Sequence, residues 1–253
     1  MIRTEDLIKS FGENEVLKGI TTEFYPGKTN LIIGRSGAGK TVLLKLLVGL
    51  FSPTSGKVWY DDTDFFSLNK KEVRNIRMEV GMLFQASALF DSMTVEENIR
   101  FPLDMFTNMT KKEKTTRVND VLNRVNLDGA NHQFPSEISG GMQKRVGIAR
   151  AIVLDPKYLF CDEPNSGLDP KTSIVIDELI RSITIENNIT TVINTHDMNS
   201  VMEIGDNIIL LNQGKIAWRG DKTQVLGSDN EFLQNFIFAS PFLQRLRSAA
   251  LKN

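Results

Sequence analysis

An apolar run that breaks into a glycine-rich turn and then becomes a helix constrains this chain's fold more than any other stretch. Leu31-Ile32-Ile33 reads as a buried strand, and Gly34-Arg35-Ser36-Gly37-Ala38-Gly39-Lys40-Thr41 fits G-x-x-x-x-G-K-[ST]. Thr41 to Leu47 then reads as a helix start. Strand, loop and helix in that order are the context a phosphate-binding P-loop needs inside an α/β core. Gly34, Gly37 and Gly39 let the backbone curl so that successive N–H groups face phosphate oxygens. The helix N-terminus adds the positive end of its dipole. Lys40 supplies a point charge for the β- and γ-phosphates, and the Thr41 hydroxyl is placed to ligate Mg²⁺. A chance match in a glycine-rich turn lacks the flanking elements, so the stretch predicts a nucleoside triphosphate site.

Composition narrows the partners. A net charge of −1 gives no electrostatic case for nucleic acid, which calls for a basic patch or stripe. Cys161 is the single cysteine, so there is no disulfide framework and no thiolate metal site, and within an apolar strand it reads as a small core residue. Lys45 interrupts the longest apolar run, leaving nothing long enough to span a bilayer. Met1 to Asp6 carries acidic residues and no apolar segment of the signal-peptide kind. The expectation is a cytosolic chain whose membrane role, if it has one, comes through a partner.

Before the P-loop the chain reads as strands and turns, with Pro26-Gly27 a turn and Val16 to Ile20 a short strand. After it come a loop at Ser52 to Gly56, a strand at Lys57 to Tyr60, and a second buried strand at Val80 to Gln85. From Thr94 to about Leu127 the pattern turns helical and charged, with Val118, Val121, Leu122 and Val125 on one face. A helical subdomain of approximately residues 86–155, inserted into the α/β core, is therefore expected. The core resumes with a strand at Lys157 to Asp162, a helix at Ile174 to Ile185 and a strand at Thr190 to Asn194. A hairpin turns at Asn212-Gln213-Gly214, and helices follow from about Lys222.

Polar residues separate the classes that share a P-loop. Asp162 ends an apolar strand, a Walker-B arrangement that orients Mg²⁺, and Glu163 follows where a carboxylate could position the attacking water. Ser139-Gly140-Gly141 opens another helix, which makes it either a second anion site without a lysine or an ordinary loop with an N-cap.

In this order the motifs resemble those of ABC transporter ATP-binding subunits, over nearly the whole chain. Gly34 to Thr41 resembles Walker A, Gln85 the Q-loop glutamine, and Ile138 to Met142 the ABC signature. Tyr158 to Asp162 with Glu163 resembles Walker B with its catalytic glutamate, Ser166 to Asp169 the D-loop, and His196 the switch histidine. Phe11 stands where the family places an adenine-stacking aromatic. The resemblance implies a P-loop NTPase of ABC type, an α/β fold with a RecA-like core, an antiparallel β-subdomain and a helical subdomain. It implies an ATPase domain over residues 1–238 and a C-terminal extension over 239–253.

It also implies that ATP and Mg²⁺ are held by Phe11, Gly34, Arg35, Ser36, Gly37, Ala38, Gly39, Lys40 and Thr41 of one copy. Ser139, Gly140 and Gly141 would complete the site in a head-to-tail dimer, Asp169 would also bind the nucleotide, and Thr41, Gln85 and Asp162 would lie at the metal. Lys40, Gln85, Glu163 and His196 would carry the chemistry, and transmembrane permease subunits would receive the motion at the cytoplasmic face of the inner (plasma) membrane. Ala86 to Phe90 would either border the docking groove for a permease helix or belong to the core.

One departure points to a subgroup. Met142 stands where the signature commonly has Gln, and with Lys144-Arg145 it is similar to the ATPases of Mla-type phospholipid-trafficking systems and their actinobacterial and plastid relatives. Leu89 to Ile99, Phe101-Pro102-Leu103 and a C-terminal segment with Phe236 and Ser240-Pro241-Phe242 resemble that group too. A lipid-binding substrate-domain protein then becomes an expected partner. Phe232, Phe236, Phe238, Phe242, Leu243 and Leu246 would pack on a second subunit or on their own domain. Rival readings are an ABC ATPase for amino acids, metals or lipoproteins, or a soluble ABC ATPase of DNA repair or translation. The second lacks support in a chain with one P-loop and no heptad run.

Overall fold

The computed structural model describes residues 1–239 together with Gln244, Arg245 and Arg247. Ser240, Pro241, Phe242, Leu243, Leu246 and Lys252 lie outside the described residues. The chain divides into two compact units, residues 1–68 with 190–253, and residues 69–189.

The first unit begins with strands β1 (Ile2–Phe11) and β2 (Asn14–Phe24), then β3 (Thr29–Ile33), helix α1 (Lys40–Leu47), and strands β4 (Ser55–Tyr60) and β5 (Thr63–Asp64). β2, β1, β4 and β5 form an antiparallel sheet in that order. β2 alternates buried and exposed positions along its second half, as expected for a sheet with one covered face. β3 is instead buried at every position, as its apolar run foretold.

The second unit contains helix α2 (Lys70–Met78), strand β6 (Val80–Leu83), helices α3 (Val95–Phe106), α4 (Lys111–Arg124) and α5 (Gly140–Ile152), strand β7 (Tyr158–Asp162) and helix α6 (Pro170–Glu186). Three of these helices start with a capping box, Asn69 with Glu72, Thr94 with Glu97 and Thr110 with Glu113. Each box satisfies N–H groups that the first helical turn leaves unpaired. β6 and β7 pair in parallel, Val80 opposite Tyr158 and Leu83 opposite Cys161. α5 packs on α3, α4, α6 and β6. β7 and its Cys161 are fully buried, and burial pushes the thiol far above its usual range, so it behaves as a core residue.

The expected second buried strand is corrected. β6 ends at Leu83, leaving Phe84 and Gln85 beyond it, and only Gly81 and Leu83 are buried. Those two face α5, where a Cβ on Gly81 would lie 2.2 Å from the Ala151 carbonyl oxygen. The other face borders an open cavity of about 420 Å³ lined by Val80, Met82, Phe84, Phe90, Phe101 and Phe106, among others.

The chain returns to the first unit with β8 (Thr190–Asn194), α7 (Met198–Ile204), β9 (Asn207–Asn212), β10 (Lys215–Gly220), α8 (Lys222–Val225) and α9 (Glu231–Ile237). β8 and β9 flank β3 in parallel, and β10 pairs antiparallel with β9. The hairpin turns at Gln213 and Gly214, both at positive φ (49° and 79°), the pairing of a type I′ turn. α9 packs on β10, and Leu233, Ile237 and Phe238 are buried within this unit. Arg247 donates to the Leu226 and Ser228 carbonyls (2.8 and 3.0 Å) and its guanidinium lies over the Phe238 ring. Phe238 is therefore core, not a residue held out for a second subunit, because neighbours from its own unit cover it. Phe232 is exposed.

Candidate nucleotide site

The first unit supplies the phosphate cradle. The loop between β3 and α1 turns away at Gly34, whose φ of 147° and close approach both exclude a side chain: a Cβ would lie 2.4 Å from the Leu211 carbonyl oxygen. Gly39 ends the loop at φ 103°, and a Cβ there would meet the Leu17 side chain at 2.7 Å. No side chain caps the N-terminus of α1, so its first-turn N–H groups serve an anion without competition from the chain's own carboxylates or hydroxyls. Arg35, Ser36, Gly37 and Thr41 are exposed, while Ala38 is buried. Lys40 is only 7% exposed. Its ammonium folds back over the loop, donating to the carbonyls of Gly34 (2.9 Å) and Arg35 (3.3 Å). These residues fit a polyphosphate.

His196 belongs to the same edge. β3 and β8 are parallel neighbours, so the P-loop and His196 both follow carboxyl ends of strands, where ligands bind in open α/β sheets. His196 is exposed, and the next residue, Asp197, caps α7 by accepting from the Asn199 N–H. Phe11 ends β1 at 45% exposure, with its ring edge-on to Phe51 at 5.5 Å and Lys9 4.9 Å above it. Phe51 is a second aromatic beside Phe11 that sequence reasoning missed; its position after the helix gives no periodic signal.

The second unit holds the carboxylates. Asp162 ends β7 and is buried, and Glu163 follows in the left-handed region at φ 49°. Such a conformation costs roughly 1–3 kcal/mol in a non-glycine residue and persists where surroundings impose it. Gln85 follows the neighbouring strand β6, and its amide donates to Glu163 Oε2 (3.1 Å) and Ser166 Oγ (3.4 Å). The structure thus brings together Gln85, Glu163 and the start of the D-loop-like segment. The Asp162 carboxylate in the second unit, like the Thr41 hydroxyl in the first, is an oxygen donor of the kind that suits Mg²⁺.

Asp169 is the N-cap of α6, accepting from the Lys171 and Thr172 N–H groups. The Thr172 hydroxyl bonded to it, more than those N–H groups, holds its carboxyl below the usual range. Ser139 caps α5, its Oγ accepting from the Met142 N–H at 3.3 Å. Gly140 lies exposed at the helix start, and Gly141 approaches α6 so closely that a Cβ would meet Thr172 at 2.7 Å.

Lys144 was legible only as part of a subgroup pattern, yet it is 5% exposed and its ammonium donates to the Gln85 carbonyl. Burial pushes that ammonium below the usual lysine range, and the nearby Cys161, Glu163 and Asp162 oppose the shift. A lysine amid the buried residues of α5 was the available signal.

The P-loop of the first unit, and the Walker-B-like acid with its adjoining glutamate in the second, are the residue types of a nucleotide-hydrolysing ATPase. The ABC transporter family matches residues 17–166, and the chain belongs to that family as an ATP-binding subunit. Among curated proteins it is similar to the probable ribonucleotide transport ATP-binding protein mkl of Mycobacterium leprae, 39% identical over 93% of this chain and 68% of that one. It is 38% identical to the methionine import ATP-binding protein MetN of Corynebacterium diphtheriae, over 88% of this chain and 67% of the relative. It is 35% identical to trigalactosyldiacylglycerol 3, chloroplastic, of Arabidopsis thaliana, over 95% of this chain and 74% of the relative.

Among solved structures, the dimeric bacterial ABC transporter cassette MJ0796 superposes with a TM-score of 0.80 at 31% identity, covering 88% of this chain and 99% of that one. The same cassette in a post-hydrolysis state with ADP and Pi gives 0.79 at 32% identity, with the same coverage. The fold is that of an ABC ATPase cassette, and the activity is ATP hydrolysis coupled to transport. No helix among the described residues is long and apolar enough to cross a membrane.

Proposed function

We propose that this chain drives an envelope transporter of the Mla type, which moves phospholipid, from the cytoplasmic face of the plasma membrane. The observation that carries the reading is the Gly140-Gly141-Met142 signature followed by Lys144-Arg145. A relative named for a glycolipid, alignable over 95% of the chain, supports it.

In this reading the residues take the roles their motifs suggest. The Gly34 to Gly39 amides and Lys40 bind the β- and γ-phosphates, and Phe11 stacks on adenine. Glu163 positions a water and accepts its proton at the carboxylate as the water oxygen attacks the γ-phosphorus. The bond to the bridging oxygen breaks, giving ADP and phosphate. His196 contacts the γ-phosphate. Thr41, Gln85 and Asp162 would hold Mg²⁺, which neutralises phosphate charge when bound.

Ser139, Gly140 and Gly141 act on the ATP of a second copy in a head-to-tail dimer, and Asp169 also binds nucleotide. The exposed aromatic cavity beside β6 receives a permease helix, and a lipid-binding substrate-domain protein completes the system. The ATPase domain spans residues 1–238, with the helical part at 86–155 and an extension at 239–253.

A second reading, transport of a small polar solute, is favoured by the names of the mycobacterial and corynebacterial relatives. Purifying the tagged chain from its own cells in mild detergent, then identifying proteins and lipids, decides between them. A permease with a lipid-binding subunit and phospholipid supports the first. A permease with an amino-acid or nucleotide receptor replaces it with the second.

A further inference from the structure

One side of α5 grips the loop that carries Gln85. Lys144, Gly147 and Arg150 recur at three-residue intervals, which keeps them on neighbouring ridges of the helix. Lys144 Nζ donates to the Gln85 carbonyl, and the Arg150 guanidinium donates to the carbonyls of Ser87 (2.5 Å) and Ala88 (2.7 Å). Between them Gly147 lets the loop close in, since a Cβ there would lie 3.4 Å from the Ser87 Cβ and 2.7 Å from Leu83 Cδ1. Ser87 and Ala88 are both held at positive φ, 60° and 46°. Two such residues in succession persist only where their surroundings impose them.

Nothing in packing alone calls for a lysine at 144. A buried ammonium is costly unless partnered, whereas a methionine would occupy similar volume without that penalty. What the lysine gains is a contact that leads to the chemistry. Its ammonium holds the Gln85 main chain, and the Gln85 side chain reaches Glu163 at 3.1 Å.

We propose that Lys144 is a positioning residue for ATP hydrolysis, tethering the Gln85 backbone to the signature helix so that the Gln85 amide meets Glu163. The proposal rests on the roles given above to Gln85 and Glu163. Lys144 acts only through Gln85, so its effect belongs in turnover and not in nucleotide affinity.

The test is a double-mutant cycle on the full chain, purified with the subunits that accompany it, using K144M, Q85A, the double variant and K144R. K144M is expected to lower kcat about tenfold or more, as small misplacements of catalytic groups do. KM for ATP and affinity for a non-hydrolysable ATP analogue should stay within about threefold, because uniform binding is untouched. K144R, which keeps a fixed positive donor, should recover most of the rate. In the Q85A background K144M should add less than about a twofold loss, the non-additivity of residues acting as one unit.

Wild-type kcat in K144M, or losses that multiply independently of Q85A, would overturn the proposal. K144Q serves as a second variant should K144M not fold. Failure of both to fold assigns Lys144 a purely structural role and also overturns it. Wild-type turnover in Q85A and E163Q themselves would refute the site assignment instead, a result independent of any change at Lys144.

Discussion

Replacing Glu163 by glutamine separates chemistry from folding at this site. The substitution keeps the side chain's shape and leaves an acceptor oxygen for the Gln85 amide, now 3.1 Å from Glu163 Oε2. Exchanging a charge-assisted hydrogen bond for a neutral one costs on the order of 1 kcal/mol. Losing a general base costs about 10²–10⁴ in rate, or about 2.7–5.4 kcal/mol of barrier. The kinetic effect therefore exceeds the structural one severalfold. In the role proposed for Glu163 its charge faces the γ-phosphate, so removing that charge relieves like-charge repulsion and ATP affinity should hold or rise. The assay is phosphate release with saturating ATP, alongside equilibrium binding of ATP and a thermal melt. Turnover should fall at least a hundredfold with binding retained and the melt little changed. A kcat within tenfold of wild type, or a loss of ATP binding, would refute the assignment of Glu163.

Other perturbations test the frame around the site. G34A forces a Cβ to 2.4 Å from the Leu211 carbonyl oxygen at a φ of 147°, so it should destabilise the first unit by at least about 1–3 kcal/mol and abolish ATP binding; unaltered denaturation and binding would contradict the loop geometry. F160A empties a fully buried position in β7 and should cost about 3–5 kcal/mol in urea unfolding, with a loss below 1 counting against the core described here. The Glu97 and Glu113 carboxyls lie below their usual range, chiefly through the Thr94 N–H for Glu97 and the Thr110 hydroxyl for Glu113. A lowered folded pKa stabilises above the unfolded value and is lost as pH falls through the folded one. The E97Q/E113Q double variant should therefore lose the part of wild-type stability that titrates below about pH 5, and identical pH profiles would refute the caps.

Elements set by local rules were legible, and contacts set by strand neighbours were not. The P-loop declared itself because glycine spacing, a buried strand and a helix start coincide within one stretch. β3 is buried at every position, and the hairpin turns where Gln213-Gly214 stands. α2 escaped notice because it has no buried residue and thus no apolar stripe; its signal was the Asn69–Glu72 capping box alone. β6 was taken as fully buried because an apolar run does not reveal that one of its faces borders an open cavity. Gln85 and Glu163 are 78 residues apart, and their meeting depends on β6 lying beside β7. Periodicity identifies a strand without naming its neighbour. Lys144 was hidden for a different reason. A charged residue reads as solvated, and only the packing around α5 removes it from water.

Strand direction explains why so few elements gather so much chemistry. In the first unit β3 and β8 run parallel, so the P-loop and His196 leave the sheet at the same edge. In the second, β6 and β7 run parallel, so Gln85 and the Asp162-Glu163 pair do likewise. Carboxyl ends of parallel strands give way to loops, and loops tolerate the positive φ found at Ser87, Ala88 and Glu163. That freedom is a liability for chemistry, which needs fixed geometry. α5 offsets it by lying along the loop after β6 with Lys144 and Arg150 on the loop's carbonyls. Lys144 is five residues from the N-cap Ser139, about 7.5 Å along the axis. A helix over that length is stiff. Any displacement imposed on its N-terminus by an anion must then move Gln85 with it, and weakening the Lys144 tether should uncouple the two while leaving each end intact.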